Sequence, residues 1–452
     1  MRLSAEAAAR LPAPVARPSY DRDAEARGIV HFGLGAFTRA HQAVYTDAAM
    51  SAGDAGWMIT GVSLRSPTVA EQLNPQDGLY LIAEQSGAGT AYRLGGAIRD
   101  VLVAPREPDA VIAGLADPAT RIVSFTVTEK GYCRAPDGSL VPALAGEGSF
   151  YPLLAEALRQ RRDAGAGGLT LLSCDNLAGN GAVLERLMHE YLAASAPELA
   201  DWFAAQCTCP STMVDRIVPA TTSEDRAAAE AATGLRDEAL VVTEPFSQWV
   251  IEDRFANGRP AWEKVGAELV ADVAPYETAK LRLLNGAHSL LAYCGLEAGH
   301  SFVHEAIADP ALRALVEAQM AEAIPTIEAA PGQDLTAYAA SLIERFANPA
   351  LNHRLAQIAM DGSQKIPQRW LETLAAHQRE GRHCHAILRG IAAWLRHLRG
   401  ANGPVDDPLA AELADVAAKD DAVSTLFSGG GLMKSGWNPD PAEIALIVRF
   451  LR

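Results

Sequence analysis

Tyr276-Glu277-Thr278-Ala279-Lys280-Leu281-Arg282-Leu283-Leu284-Asn285-Gly286-Ala287-His288-Ser289-Leu290-Leu291 is the stretch on which the reading of this 452-residue chain turns. Its pattern predicts a buried helix that carries polar groups. At roughly 100° per residue, Glu277, Lys280, Asn285 and His288 fall within about one half of the circumference, and Leu281, Leu284 and Leu291 supply the apolar packing between them. A lysine among leucines loses solvation, which disfavours its ammonium form and makes Lys280 a candidate proton acceptor near neutral pH. The Asn285 amide and the His288 imidazole can both donate to an oxygen whose negative charge changes. Such a set suits interconversion of an alcohol and a carbonyl. The competing reading is an exposed lysine with Asn and His as ordinary helix residues.

Towards the N-terminus, Gly28-Ile29-Val30-His31-Phe32 reads as a strand, Gly33-Leu34-Gly35 as a tight turn, and Ala36 onward as a helix start. Strand, glycine turn and helix form a unit that can cradle a dinucleotide, because the glycines admit a pyrophosphate to the backbone and the helix start offers N–H groups. Phe37 lies in this turn, and Arg39 would add a charge there. The third glycine of the usual fingerprint is missing, so a simple strand-to-helix turn remains the alternative. Residues 57–64 read as a second strand, ending on Ser63, Leu64, Arg65 and Ser66 where an acid normally grips the ribose, which leaves NAD against NADP open.

Further strands are expected at 121–128 and 169–174, separated by helical stretches, and this alternation implies a parallel sheet. Thr128-Glu129-Lys130-Gly131-Tyr132 and Asp175-Asn176-Leu177 then fall at carboxyl ends of strands, where ligands sit. Asp175 reads as the cap of the following helix, Asn176 as a site residue. Residues 240–251 read as one more strand. Beyond Pro275 helical periodicity takes over, giving an α/β domain over residues 1–272 and a helical domain over 273–452. In the helical half, His353, Arg354 and Lys365 are cations beside a glycine break, and form a candidate anion pocket against the alternative of a solvated helix face.

The formal charge of −16 argues against a nucleic-acid partner, since phosphate backbones are held by clustered Lys and Arg. No apolar run suffices for a bilayer and the N-terminus breaks its apolar residues with charge, so a cytoplasmic protein without a membrane partner is expected. The six cysteines lie mostly isolated in apolar segments and read as reduced packing thiols. His383-Cys384-His385 and Cys207-Thr208-Cys209 are the metal-like clusters, and neither has a matching second half at zinc spacing, so both read as structural.

Taken together, Lys280-x4-Asn285-x2-His288, Gly33-x-Gly35-x-Phe37-x-Arg39-Ala40-His41, Thr126-x-Thr128-Glu129-x-Gly131-Tyr132, Ser173-Cys174-Asp175-Asn176 and Met213-Val214-Asp215-Arg216 resemble the mannitol dehydrogenase family, the polyol-specific long-chain dehydrogenases. The resemblance covers nearly the whole chain. It implies a Rossmann-like N-terminal domain with a mostly parallel sheet, a mostly α-helical C-terminal domain, and metal-independent chemistry with NAD, NADP not being excluded. It further implies Lys280 as catalytic acid/base, Asn176 and Asn285 as an oxyanion hole, and His288 as the group orienting the oxygen. Asp215 and Lys365 would bind substrate hydroxyls, Glu277 would relay the proton, and Gly33, Gly35, Phe37, Arg39, Thr128 and Asn176 would meet the cofactor.

Within the family, residues 243–253 and 353–369 most resemble members acting on sugar acids. Gln357 and Met360 stand where mannitol-type members are expected to carry an arginine and a histidine. The resemblance therefore implies D-mannonate and D-fructuronate as the substrate pair, with D-mannitol or D-arabinitol as the alternative. Two rivals differ in kind. Tyr276-x3-Lys280 also spells the Tyr-Lys pair of short-chain dehydrogenases, in which the tyrosine is the base, and a catalytically silent NAD-binding sensor would keep the same glycine turn.

Overall fold

The computed structural model describes residues 1–433 and 435–452. It divides into two compact units, Met1–Ala274 and Pro275–Arg452.

In the first unit the strands in chain order are β1 (Arg27–Phe32), β2 (Met58–Ser63), β3 (Tyr80–Ser86), β4 (Gly89–Gly95), β5 (Ile98–Val103), β6 (Ile122–Phe125), β7 (Thr170–Ser173), β8 (Thr212–Asp215), β9 (Val241–Thr243), β10 (Gln248–Glu252) and β11 (Glu268–Val270). Five of them form a wholly parallel sheet in the order β5-β2-β1-β6-β7. Its strands are short Val, Ile and Phe-rich runs buried on both faces, as parallel strands covered by helices must be. Phe32 pairs with both Val62 and Phe125, and Phe125 pairs with Ser173, so four strands end level with one another. The chain leaves β1 towards β2 on one side, and returns to add β6 and β7 on the other. That reversal puts a topological switch point at the carboxyl ends of β1 and β6.

Two smaller sheets complete the unit. β3 and β4 form an antiparallel hairpin, and β9 lies parallel to β3. β10 runs antiparallel to β8 and parallel to β11. The single strand expected over 240–251 is thus two strands in different sheets, broken at Glu244-Pro245-Phe246-Ser247, where proline cannot continue a ladder.

The second unit is helical. Its core gathers Leu283, Leu290, Trp370, Ile391, Trp394 and their neighbours around the helix His385–Leu398. No helix among the described residues is long and apolar enough to cross a membrane.

The deciding stretch is not one regular α-helix. Ala274–Ala279 is α-helical, Lys280–Asn285 is a π-helix, and Gly286–Glu297 is α-helical again. The phase of the packing shifts with it. Leu283 is fully buried while Leu281, expected on the apolar side, is only half-buried.

Candidate active site

In the first unit the glycine turn sits on the switch point. Gly33 has φ +85°, and an added Cβ would lie 2.4 Å from the Thr126 carbonyl oxygen, so both the backbone conformation and the neighbouring strand end exclude a side chain. Gly35 differs. A Cβ there would meet only the Gly33 carbonyl at an ordinary 3.7 Å, so the chain's own packing leaves that backbone approachable. The turn is tied to the end of β6 by polar side chains the sequence reading passed over. His31 bonds Ser124 through Nδ1 at 2.7 Å and Thr126 through Nε2 at 2.9 Å, and Thr38 joins both His31 and Thr126. The Thr126 hydroxyl donates to the Gly33 carbonyl at 2.8 Å. Burial pushes the His31 imidazole down to about 3, so it is neutral and both nitrogens serve as hydrogen-bonding groups.

Arg39, expected to add a charge at the turn, is buried. It is 7% exposed, its Nε donates to the Gly35 carbonyl at 3.1 Å, and its Nη1 donates to the Ala239 carbonyl. Its charge therefore braces the turn from behind. Phe37, half-buried, stacks on the His41 ring at 5.0 Å.

Asp175 caps a different element from the one expected. Its carboxylate accepts from the Val127 and Thr128 amides at 2.9 and 3.0 Å and from the Tyr132 hydroxyl at 2.8 Å. It thereby holds the loop after β6, where Thr128 adopts φ +64°, whereas the helix after its own strand starts from Gly179. Asn176 is exposed beside it on the same edge. Asp215 ends β8, buried, paired in register with Gln248. Its neighbour Arg216 is ion-paired at 2.7 Å with Glu84, and also donates to the Glu244 carbonyl.

In the second unit the π turn sets the geometry. Five residues of α-helix would leave Asn285 about 140° away from Lys280, but bonds running i to i+5 stack residues five apart one turn above each other. Lys280 and Asn285 therefore share a face, closer than an α-helical wheel predicts. Lys280 is 9% exposed. Widening the helix redirects carbonyls away from their usual amide partners, and side chains from other segments take them up. Gln319 donates to the Arg282 carbonyl at 2.9 Å, Arg369 to that of Asn285 at 3.2 Å and Trp370 to that of Gly286 at 3.1 Å. These three residues were missed as part of the site. The signal was Pro367, a proline inside a helical pattern, which here opens a second π-helix, Pro367–Leu371, packed against the first.

His288 follows on the α-helical turn, 8% exposed, its ring 4.7 Å from Phe346 and edge-on to His353 at 5.2 Å. Burial first, then the nearby His353 and arginines, hold it well below the ordinary histidine range, so it is neutral. Its Nε2 has no partner within the protein, the state of a group that can address a ligand oxygen. Glu277 lies half-buried in the turn before Lys280.

His353, Arg354 and Lys365, expected to line an anion pocket, each have a local partner. His353 packs against His288, Arg354 is exposed with its guanidinium 5.4 Å from the Phe302 ring, and Lys365 donates to the Met360 carbonyl at 2.6 Å. Those local partners could not be read from sequence proximity.

Residues 27–264 match the mannitol dehydrogenase Rossmann domain, and 272–428 the mannitol dehydrogenase C-terminal domain. D-mannonate oxidoreductase of Escherichia coli K12 is 42% identical, over 90% of this chain and 88% of its own. The mannitol 2-dehydrogenase of Pseudomonas fluorescens, solved as a ternary complex with NAD and D-mannitol, is 37% identical with a TM-score of 0.84, covering 100% of this chain and 96% of that one. A D-sorbitol dehydrogenase in substrate-free form is 36% identical with a TM-score of 0.91, covering 99% and 97%. A parallel dinucleotide-binding sheet, a helical unit with a buried lysine on a π turn, and matches along both halves lead to one conclusion: the chain belongs to the mannitol dehydrogenase family and is an NAD(P)-dependent dehydrogenase acting on a CH–OH group.

Proposed function

We propose that the chain oxidises a secondary hydroxyl of an acyclic polyol to the ketone, and reduces the ketose in reverse, with Lys280 as the acid/base. The observation that carries the reading is the π turn, which sets Lys280 and Asn285 on one face with the neutral His288 beyond them. Lys280 takes the hydroxyl proton, without which the alcohol is far too weak an acid to react at neutral pH. Amide donors from Asn285 and Asn176 hold the resulting oxyanion, each worth about 3 kcal/mol in a water-poor site. His288 orients the same oxygen through Nε2, Asp215 binds substrate hydroxyls, and Glu277 passes the proton onward. NAD, when bound, accepts the hydride. The Gly33–Gly35 turn and the neighbouring Thr128 and Asn176 loops suit it, because Gly35 leaves the backbone open and the strand ends lie level at the switch point.

The polyol is preferred because two solved relatives that cover nearly the whole chain are named for neutral polyols. A second reading, D-mannonate and D-fructuronate, is favoured by Gln357 and Met360 and by the 42% identical D-mannonate oxidoreductase. Steady-state kinetics with D-mannitol, D-sorbitol, D-arabinitol and D-mannonate, each with NAD and NADP, decides between them. A kcat/KM at least about tenfold higher for a neutral polyol is expected. The reverse preference moves the assignment to the sugar acid, and silence on the whole panel points to a sensor.

A further inference from the structure

The second unit carries a cluster that the dehydrogenase chemistry does not use. Asp440 and Glu443 open the helix Pro441–Leu451 as a capping box. Each needs only one carboxylate oxygen for that task. Asp440 Oδ1 accepts from the Ala442 and Glu443 amides, both at 2.8 Å. Glu443 Oε2 accepts from the Asp440 amide at 3.0 Å, the Gln378 amide at 3.0 Å and the Trp437 indole at 3.1 Å. The other two oxygens, Asp440 Oδ2 and Glu443 Oε1, face His383 Nδ1 at 3.9 and 3.7 Å.

Those distances are too long for hydrogen bonds. The buried acid makes the arrangement costly as it stands. Glu443 is 0% exposed, and its Oε1 has no hydrogen-bond partner. A carboxylate oxygen kept dry without a donor calls for a compensating charge.

We propose that His383 Nδ1, Asp440 Oδ2 and Glu443 Oε1 bind one divalent transition-metal ion of the zinc class, with solvent as the fourth ligand. The three ligand atoms lie within 4.8 Å of one another. Ligand atoms around a tetrahedral zinc stand about 3.3 Å apart, so the two His383 pairs need close by only about half an ångström. One nitrogen and two carboxylate oxygens suit such an ion better than magnesium or calcium, which prefer all-oxygen shells. His383, one-third exposed, gives the ion a way in. The second half that His383-Cys384-His385 lacks in sequence is supplied by the start of the C-terminal helix. The bound ion fastens that helix to the start of His385–Leu398, against which it packs. It is a structural site, separate from the residues assigned to the reaction.

The test is metal retention and thermal stability of the full chain, first stripped with a chelator and then given roughly 100 µM zinc. The parent is expected to keep one zinc per chain through gel filtration, with its unfolding midpoint raised by about 5 °C. His383→Ala should abolish both effects while keeping dehydrogenase activity and the zinc-free midpoint of the parent. Asp440→Asn, which preserves an N-cap residue, should weaken zinc binding at least about tenfold. His385→Ala should bind as the parent does. A parent that retains no zinc and shows no midpoint shift overturns the proposal, as does His383→Ala binding zinc like the parent, or loss of binding on His385→Ala.

Discussion

The Arg369 guanidinium donates to the backbone carbonyl of Asn285 at 3.2 Å and to the Ser289 hydroxyl at 2.8 Å, so a residue of one π turn fastens the carboxyl end of the other. Burial pushes its pKa down to about 10, still far above neutrality, so the fastening is a charged one. Arg369→Met leaves the Asn285 carbonyl without that donor and lets the turn relax towards an α-helix, moving Asn285 off the face of Lys280. A displacement of about 1 Å in a catalytic group costs about 100-fold in rate. The expected result is a kcat lower by that order, with a smaller change in KM, in a protein that still folds. Arg369→Lys, which keeps a cationic donor on a shorter side chain, should recover part of the loss.

Lys280→Met keeps the volume and the apolar neighbours of a residue already 9% exposed, so the fold should tolerate it. Removal of a positioned base lowers kcat by about 10²- to 10⁴-fold. Cofactor affinity, measured by fluorescence titration with NADH, should be unchanged. Tyr276→Phe should change the rate only modestly, whereas near-total loss would indicate the tyrosine mechanism.

Gly33→Ala tests the cofactor turn from the side of the fold. The new methyl group would sit 2.4 Å from the Thr126 carbonyl oxygen on a backbone at φ +85°, costing on the order of 1–3 kcal/mol. A lower unfolding midpoint together with weaker NADH binding is expected. Gly35→Ala, which meets only an ordinary contact, should weaken NADH binding while leaving the midpoint near that of the parent. That separation of the two effects is the critical outcome.

Much of the first unit was legible because parallel strands announce themselves as short apolar runs. The starts and ends of β1, β2 and β7 lie within a residue or so of those expected. The hairpin β3–β4 was not foreseen: half-exposed β4 lacks such a run, and the buried run Tyr80-Leu81-Ile82-Ala83 of β3 was passed over. In the second unit, residue types alone picked out Lys280, Asn285 and His288, but not the π turn that relates them. That turn depends on Gln319, Arg369 and Trp370, which lie far along the chain and act on carbonyls that carry no sequence signature. Charge was the least legible feature. Arg39, Arg354 and Lys365 read as ligand-facing cations, and the carbonyl or ring that each one meets was not visible in the sequence.

His31 gives the stability of the first unit a pH dependence of known sign. It is neutral when folded, with a pKa of about 3, but takes up a proton below about pH 6.5 when unfolded. The unfolded state then binds more protons, so this group's contribution to stability falls as the solution is acidified below that value. Asp47, raised to about 6 by burial, acts in the opposite sense, so the comparison must be between variants. Between about pH 7 and pH 5 the parent should lose about 2 kcal/mol more than His31→Asn in urea unfolding.

Asp175 clasps the Val127 and Thr128 amides from the neighbouring strand end, whereas Ser63 and Ser66 at the tip of β2 bond within their own loop, and Arg65 is exposed there. One rim of the nucleotide-binding edge is therefore welded across two segments by side chains, whereas at the other rim the Ser63 and Ser66 side chains bond only locally and β2 is joined to β5 by backbone. Attempts to retune the preference between phosphorylated and unphosphorylated ribose can change the exposed side chains of Arg65 and Ser66 without disturbing a neighbouring segment. The welded rim admits only paired changes, so variation there should arise in step or not at all.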